Sequence, residues 1–211
     1  YLPAAYAHAR AAGALCIADE VQVGYGRTGD SFWAFEHEEV VPDIVCVAKA
    51  TGNGHPIGAV ICRRDIADAF AQTAPFFSST GGGAVSCRIG IAVLDALEAE
   101  GLQANARHVG GRLKAALERV AEEHPAIGAV HGRGLYLGVD VVRDRSTKEP
   151  APEQAEWICE RMRELGVIVQ PTGDAFNVLK VKPPLCLDDA AAEHIVAALT
   201  QTLEEGVAGA R

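Results

Sequence analysis

Two short runs of small and branched apolar residues, each followed by a polar side chain, constrain the fold more than any other feature. Ala14 to Ala18 leads to Asp19, and Ile44 to Ala48 leads to Lys49. Each run is too short for a helix and is typical of a strand buried on both faces of a sheet. Because ligands bind at the carboxyl ends of strands in open α/β sheets, we expect both polar residues to face a ligand.

Helical patterns and a third strand complete the first part of the chain. An aromatic, hydroxyl and glycine turn at Phe76 to Gly83 opens a long helix that reaches Glu98, with apolar residues spaced four apart. The other segments predicted here are helices over Leu2–Ala12, Asp65–Ala71 and Leu102–Glu122, and a strand over Ile57–Cys62.

After Pro125 the order of elements changes. It becomes strand, strand, helix, strand, strand, helix, which indicates a small α+β domain. We therefore predict two domains, 1–124 and 125–211. The predicted elements are strands over 127–131, 135–142, 167–170 and 177–181, a loop over 143–152, and helices over 153–165 and from the Asp188-Asp189 cap to about 205.

Composition excludes some classes of function. With a net charge of −9 and no Lys/Arg cluster, the chain is not expected to bind nucleic acid. No apolar run is long enough to span a membrane, and no metal site is expected. The six cysteines form no C-x-x-C pair, which favours free thiols in a reducing compartment, the cytoplasm. Because the chain starts at Tyr1, in what reads as the middle of a domain, we expect a fragment of a longer protein.

A lysine and a carboxylate at the ends of two buried strands are what a pyridoxal phosphate (PLP) enzyme requires. The amine forms a Schiff base with the cofactor aldehyde, and the carboxylate keeps the pyridine nitrogen protonated. Taken singly, Asp19 also fits a loop cap, and Lys49 a lysine that reaches water. The glycines in Thr51 to Pro56 favour the functional interpretation of Lys49, since they let the backbone approach a ligand closely.

The turn Ser78-Ser79-Thr80-Gly81-Gly82-Gly83 is a third candidate element. Its hydroxyls and glycines lead into a helix amino terminus, where backbone N–H groups and the helix dipole favour a phosphate. A flexible turn with a Ser/Thr cap is the alternative for this segment alone.

In this order the three elements resemble the class III (subgroup II), fold-type I, PLP-dependent aminotransferases. The resemblance covers essentially the whole chain and rests on Ile17 to Gly29, on Pro42-Asp43-Ile44-Val45 through Lys49 to Pro56, and on Ser79 to Cys87. It implies an α/β fold: the latter part of a PLP-binding large domain with a mostly parallel sheet, followed by a small C-terminal α+β domain.

The resemblance also implies residue roles. Lys49 resembles the Schiff-base lysine, which also shuttles a proton between the substrate α-carbon and the cofactor. Asp19 resembles the partner of the pyridine nitrogen, Val21 the residue packed on the ring face, and Gln22 the residue that reaches the ring hydroxyl.

The family's phosphate-binding threonine, which serves the cofactor of the neighbouring subunit, is replaced here. An ungapped match to Val85-Ser86-Cys87 puts Ser79 at its position, and Thr80 where an aromatic residue is usual. Either hydroxyl is therefore a candidate phosphate ligand.

Arg133 and Lys182 correspond to the part of the family's small domain that faces the substrate. Each could hold a carboxylate or phosphate, and a turn arginine and a strand-edge lysine are the structural alternatives. We interpret His55 as a positioning residue and not as a general base.

The function implied is amino-group transfer from an amino acid or amine to a keto acid or aldehyde, by a homodimer of the full-length protein. The alternative is a phospho-lyase acting on a phosphorylated amino alcohol such as ethanolamine phosphate, because Gly-Asn-Gly-His-Pro resembles the branch that holds both activities. The family's other phosphate loop and stacking aromatic would precede residue 1, so we expect this chain alone to be inactive.

Two readings from other classes are weaker. A nucleotide-binding module lacks a G-x-G-x-x-G that opens a helix after a strand. A non-catalytic dimerisation or allosteric module would not need both Asp19 and Lys49.

Overall fold

A computed structural model describes residues 1–209 as two compact units. The first unit holds Tyr1–Gly26 and Asp30–Gln103, and the second holds Arg27–Gly29 and the chain from Ala104 onward. The helices are α1 (Leu2–Ala11), α2 (Arg64–Thr73), α3 (Ala84–Ala99), α4 (Leu102–Glu123), α5 (Pro152–Glu164) and α6 (Asp189–Gly209). The strands are β1 (Ile17–Asp19), β2 (Ile44–Val47), β3 (Ala59–Cys62), β4 (Ile127–Arg133), β5 (Tyr136–Asp144), β6 (Glu149–Pro150), β7 (Gln170–Thr172) and β8 (Val178–Val181).

A three-stranded sheet, in the order β1-β2-β3, organises the first unit. Strands β1 and β2 pair in parallel, and β3 runs antiparallel to β2. The small core beneath them consists of Ala18, Tyr25, Val45 and Val47, with Phe32 and Trp33 packed against it. The expectation that β1 is buried on both faces is wrong for this chain, because Ile17 is 58% exposed and only the middle residue of the strand is buried.

A buried carboxylate, Asp43, ties the beginnings of β1 and β2 together. Its Oδ2 accepts hydrogen bonds from the backbone N–H of Cys16 at 2.8 Å and from Arg10 on α1 at 3.3 Å, and its Oδ1 pairs with Arg63. The Cys16 N–H, followed by Arg10 and Arg63, lowers the pKa of this carboxyl group. Asp43 therefore fixes the starts of the two strands whose opposite ends lead to Asp19 and Lys49.

The second unit has its own antiparallel sheet, in the order β4-β5-β8-β7, with β6 paired to the outer part of β5. Helices α4, α5 and α6 contribute to one continuous core with this sheet. In α4 the buried residues recur at helical spacing: Ala106, Val109, Gly110, Leu113, Leu117 and Val120. This helix therefore belongs with the second unit by its packing, whereas the predicted domain boundary at 124/125, which stays a prediction, assigns it to the first domain.

Helix boundaries follow the sequence signals closely. Helix α1 ends before Gly13, whose φ is +78°, and α6 begins after Asp188, whose Oδ1 accepts a hydrogen bond from the Ala191 N–H at 2.8 Å. The predicted helix over 102–122 ends one residue before α4 does, and the predicted helix over 153–165 is shifted from α5 by one residue at each end.

Two strand predictions need correction. The apolar segment 167–170 was predicted as a strand, but β7 comprises Gln170–Thr172, because the residues that pair with β8 in register are Gln170, Pro171 and Thr172. The predicted loop over 143–152 contains β6, and the Asp144 side chain closes that hairpin by accepting the Ser146 and Thr147 N–H groups. Hydrophobicity alone could not locate either strand, since the position of each is set by hydrogen bonding to a neighbouring strand, β5 or β8.

Three features of the structure are relevant to function: membrane-spanning helices, clusters of metal ligands and the state of the cysteines. Within residues 1–209, no helix is both long and apolar enough to cross a membrane. In the same range, no three His, Cys, Asp or Glu side chains gather as metal ligands would. All six cysteines are free thiols, with Cys16 and Cys159 buried and Cys87 and Cys186 exposed.

Candidate active site

The parallel pairing of β1 and β2 brings Asp19 and Lys49 to one edge of the sheet. Asp19 lies opposite Cys46 in the register, and the Glu20 N–H continues the pairing by donating to the Cys46 carbonyl at 3.0 Å. Lys49 follows directly after the end of β2. Because the carboxyl ends of parallel strands share an edge, both residues lie at the same edge of the sheet although they are distant in sequence.

The backbone of Lys49 is strained. Its φ is +46°, in the left-handed region that costs an L-residue about 1–2 kcal/mol. The residue begins a single 3-10 turn, Lys49–Thr51, and Asn53 has a positive φ as well. Strained non-glycine residues concentrate at functional sites. This conformation, which sequence patterns could not reveal, therefore supports the functional role predicted for Lys49.

Two side-chain hydrogen bonds hold the loop that follows Lys49. The Tyr25 hydroxyl donates to Thr51 Oγ1 at 2.9 Å, and Thr51 Oγ1 donates to the Ala48 carbonyl at 3.1 Å. Further along, His55 Nε2 and Ser86 Oγ on α3 are 2.8 Å apart. The positioning role predicted for His55 is consistent with this contact. Tyr25 was missed, and its one sequence signal is a large aromatic residue between two glycines.

An open cavity of about 550 Å³ borders the lysine. It is lined by Ala48, Lys49 and residues 54–58. The loop is compact at Gly52, where an added Cβ would collide with the His55 carbonyl. A bulky flat ligand therefore has room beside Lys49, while the loop itself has little freedom to rearrange.

The two acidic residues after β1 have different environments. Asp19 is exposed, although it follows a strand that was predicted to be buried, and its Oδ1 accepts the Val21 N–H at 3.0 Å. Glu20 is buried and accepts the N–H groups of Ala34 and Phe35 at 2.9 and 3.0 Å, so it caps a 3-10 turn. Of the two carboxylates, Asp19 is the one that can meet a ligand.

The predicted phosphate turn lies before the amino end of α3. Ser79 and Thr80 are exposed, whereas Ser78 uses its hydroxyl to accept the Gly81 N–H at 2.9 Å. Gly83 precedes the helix and has no side chain with which to cap it. The backbone N–H groups of the first helical turn are therefore accessible to an anion.

In the second unit, the structure brings Arg133 and Lys182 to the two sides of Tyr136. Arg133 ends β4 and pairs with Tyr136 across the sheet, and Lys182 Nζ lies 5.8 Å from the centre of the Tyr136 ring. Two cations beside one phenol suit a carboxylate or phosphate. Tyr136 was missed by sequence reasoning, although it closely follows the Gly132-Arg133-Gly134 turn.

The family model of the class III aminotransferases matches residues 1–203. The chain belongs to the class III aminotransferase family. Its α/β fold class, predicted from the order of strands and helices and from the family resemblance, is confirmed by solved structures of this kind.

Three similar proteins illustrate the family. The mitochondrial alanine–glyoxylate aminotransferase 2 homolog 2 of Arabidopsis thaliana is 45% identical over 97% of this chain and 43% of its own length. A phospholyase from Arthrobacter in complex with phosphoethanolamine is 38% identical with a TM-score of 0.93, over 97% of this chain and 48% of that one. A PLP-bound amine transaminase from an uncultivated Pseudomonas species is 34% identical with a TM-score of 0.90, over 97% and 48%. This chain therefore spans about half the length of the class III relatives that it matches.

Proposed function

We propose that the whole protein is a PLP-dependent transaminase that moves an amino group from an amino acid or amine to a keto acid or aldehyde. The observation that carries the proposal is the convergence of Asp19 and a strained Lys49 at one edge of the first unit's sheet. Family membership supports the same reaction class.

The residues at this edge fit PLP by their chemistry. The Lys49 amine would hold the cofactor, and the Asp19 carboxylate would keep a proton on its ring nitrogen through a charge-assisted hydrogen bond. Val21, half-buried, would pack on the ring, and Gln22 would reach its hydroxyl group. When bound, PLP supplies an electron sink for charge that develops on the substrate α-carbon.

The phosphate of PLP would be held by Ser79 or Thr80 together with the amino end of α3. The glycines at 81–83 leave backbone N–H groups accessible there, and an anion at a helix amino terminus is favoured by the dipole. In the proposed homodimer this turn serves the partner's cofactor. The adjacent Phe76 and Phe77, 76% and 87% exposed, support an interface at this segment.

The chain's own groups account for proton movement. The Lys49 Nζ would accept a proton from the substrate α-carbon and then donate it to the cofactor. To do so, its amine must be in the deprotonated form. His55 is bonded to Ser86 and would keep the loop in place without exchanging protons.

The test uses the whole protein. Its visible absorbance band should appear on adding PLP, and borohydride should attach the cofactor to the peptide that contains Lys49. Lys49→Ala should abolish the band and turnover. Lys148→Ala is a matched control, because Lys148 is also an exposed lysine with a positive φ, +57°, but lies in the second unit. Labelling of another lysine, or turnover by the Lys49 variant, would refute the proposal.

A phospho-lyase acting on a phosphorylated amino alcohol, such as ethanolamine phosphate, is the second candidate. The cation pair of Arg133 and Lys182 beside Tyr136 favours it, because a phosphate dianion gains more from two cations than a carboxylate does. The Arthrobacter phospholyase also supports it. Phosphate release from phosphoethanolamine, measured against keto-acid-dependent amino transfer, separates the two reactions.

We further propose that the protein is cytoplasmic, since its six cysteines are free thiols. The Arabidopsis relative is named as mitochondrial, so the two compartments are the outcomes to compare. Cell fractionation with an antibody against this chain decides between them.

A further inference from the structure

The segment Arg27–Gly29 belongs to the second unit, although the residues on both sides of it belong to the first. Its three residues lie against the turn between β4 and β5 and against α4. Two observations show how tight this packing is. An added Cβ at Gly134 would lie 2.5 Å from the Arg27 carbonyl oxygen, and one at Gly29 would lie 2.7 Å from Arg107 Cα.

Arg27 bridges the two segments that carry the candidate substrate cations. Its Nη1 donates to the Leu135 carbonyl at 3.1 Å and to the Pro183 carbonyl at 2.7 Å. The Leu135 N–H donates back to the Arg27 carbonyl at 3.0 Å. Leu135 closely follows Arg133, and Pro183 directly follows Lys182, so a single guanidinium fixes the backbone beside both cations.

Arg27 keeps its positive charge although it is partly buried. Burial lowers its pKa, and the nearby Tyr136 opposes that change, but a guanidinium remains protonated at any physiological pH. The backbone carbonyls satisfy the donors that burial removes from water. Arg27 therefore adds a third positive charge close to Tyr136, bonded to the backbone of the residues Leu135 and Pro183.

We propose that Arg27 is a positioning residue for an anion-binding site formed by Arg133, Tyr136 and Lys182, and that this site takes the phosphate or carboxylate of the amino substrate. This inference deepens the proposed function and rests on it for the substrate role of Arg133 and Lys182. Arg27 acts through these residues by holding the carbonyls of Leu135 and Pro183, and it does not touch the ligand.

The test measures binding and not turnover. Phosphoethanolamine and L-alanine are titrated by calorimetry into the whole protein loaded with PLP and carrying Lys49→Ala, so that the ligand is not consumed. Arg27→Ala should weaken binding of both ligands by roughly 10- to 100-fold, since small displacements of binding groups have effects of this size. Arg27→Lys should restore part of the loss, because an ammonium group can still donate to at least one carbonyl. The affinity for PLP and the unfolding temperature are followed in every variant.

Arg145→Ala is the matched control. Arg145 also donates to two backbone carbonyls of the second unit, those of Ile127 at 2.8 Å and His124 at 3.2 Å, at the opposite end of β4. This variant should leave both ligand affinities within about twofold of the starting protein. An equal loss in the Arg145 and Arg27 variants would reduce Arg27 to a structural residue and overturn the inference.

The remaining outcomes separate the two proposals. Unchanged binding in the Arg27 variants, alongside weaker binding in Arg133→Ala or Lys182→Ala, overturns the inference alone. If Arg133 and Lys182 variants bind both ligands normally, or the starting protein binds neither ligand, the anion site itself is wrong and the inference falls with it. If Arg27 affects binding as expected but the whole wild-type protein transfers no amino group and releases no phosphate, the proposed function fails while the positioning role stands.

Discussion

The two units of this chain are stabilised in different ways. The second unit buries a continuous apolar core between its sheet and three helices, and fully buried side chains such as Leu113 and Ile127 lie at its centre. The first unit buries only a small cluster around Tyr25, while Ile17, Val60 and Phe76 are more than half exposed. Apolar burial therefore dominates in one unit and polar contacts in the other.

The polar contacts of the first unit are the ones that support its candidate site. Asp43 joins the starts of β1 and β2, and Glu20 caps the turn beyond β1. Tyr25 and His55 hold the loop after Lys49. The comparison indicates that residues can be positioned for chemistry by a few buried or half-buried hydrogen bonds, even where little apolar surface is covered.

The largest expected effect tests the difference in core burial. Ile127 and Ile17 each begin a strand, but Ile127 is fully buried and Ile17 is 58% exposed. Ile127→Ala should lower the free energy of unfolding of the second unit by about 2–5 kcal/mol. Ile17→Ala should cost the first unit less than about 1 kcal/mol.

Each unit can be followed separately, because it contains one tryptophan. Urea unfolding is monitored by Trp157 fluorescence in a Trp33→Phe background for the second unit, and by Trp33 in a Trp157→Phe background for the first. Similar losses for the two isoleucine variants would show that the first unit depends on apolar burial as much as the second.

Thiol reactivity sharpens the comparison at single residues. Burial, followed by the charges of Glu160 and Glu156, raises the pKa of Cys159 to about 11, so little thiolate forms at pH 8. Cys87 is exposed in the first unit. In the folded chain, Cys87 should react with an aromatic disulfide reagent at least roughly 100-fold faster than Cys159. Mass spectrometry of the labelled peptides measures both rates, and equal rates in the native state would argue against the second unit's packed core.

A third prediction concerns the polar support of β1 and β2. The pKa of Asp43 is lowered from 3.8, so this carboxylate stabilises the fold above that pH and its contribution is lost as pH falls through the lower, folded-state value. Asp43→Asn should lower the urea midpoint of the Trp33 transition at pH 7, and the difference from wild type should shrink below pH 3.8.

Asp65→Asn is the control for this variant. Asp65 pairs with the same Arg63 but is 65% exposed, so its loss should have a smaller effect on the midpoint. Equal changes of the urea midpoint in the two aspartate variants would show that pairing with Arg63 accounts for the whole stabilisation. The hydrogen bond from the Cys16 N–H to Asp43 would then contribute nothing.

The smallest effect is expected for a surface ion pair of the second unit. Arg161, and then Gln201, lower the pKa of Glu205 from 4.5 to about 2. The stabilisation is therefore present above pH 4.5 and lost as pH falls toward 2. Glu205→Gln should lower the Trp157 midpoint slightly at pH 7, and salt should reduce the difference, because both side chains reach solvent. A salt-independent effect as large as that of Ile127→Ala would contradict the conclusion that apolar burial dominates the stability of the second unit.

Local sequence signals were sufficient for the helices and for the candidate residues. The spacing of apolar residues and the glycines at 13 and 166 gave the limits of α1, α4 and α5 within one residue, since these signals act within one turn. Helix α6 continues four residues beyond its predicted end near 205. Asp19 and Lys49 could be proposed from the apolar runs before them. Their convergence depended on parallel pairing between strands, which no single segment encodes.

Long-range contacts account for what was missed. The apolar residues 167–169 looked like a strand, yet Ile168 is 85% exposed and the strand forms at Gln170–Thr172, where β8 offers partners. Likewise, no local pattern connects Arg27 to Pro183, or Tyr25 to Thr51. The left-handed backbone of Lys49 also follows from the surrounding loop and not from lysine's own preference.

That backbone conformation has a consequence for engineering. A glycine at position 49 would adopt a φ of +46° without penalty, so a library selected only for heat resistance would tend to accept it. Such a selection would remove the Lys49 amine, which is the group proposed to react with the cofactor. Stabilised versions are better sought in the whole protein, with position 49 held constant and with a screen for the colour of bound PLP.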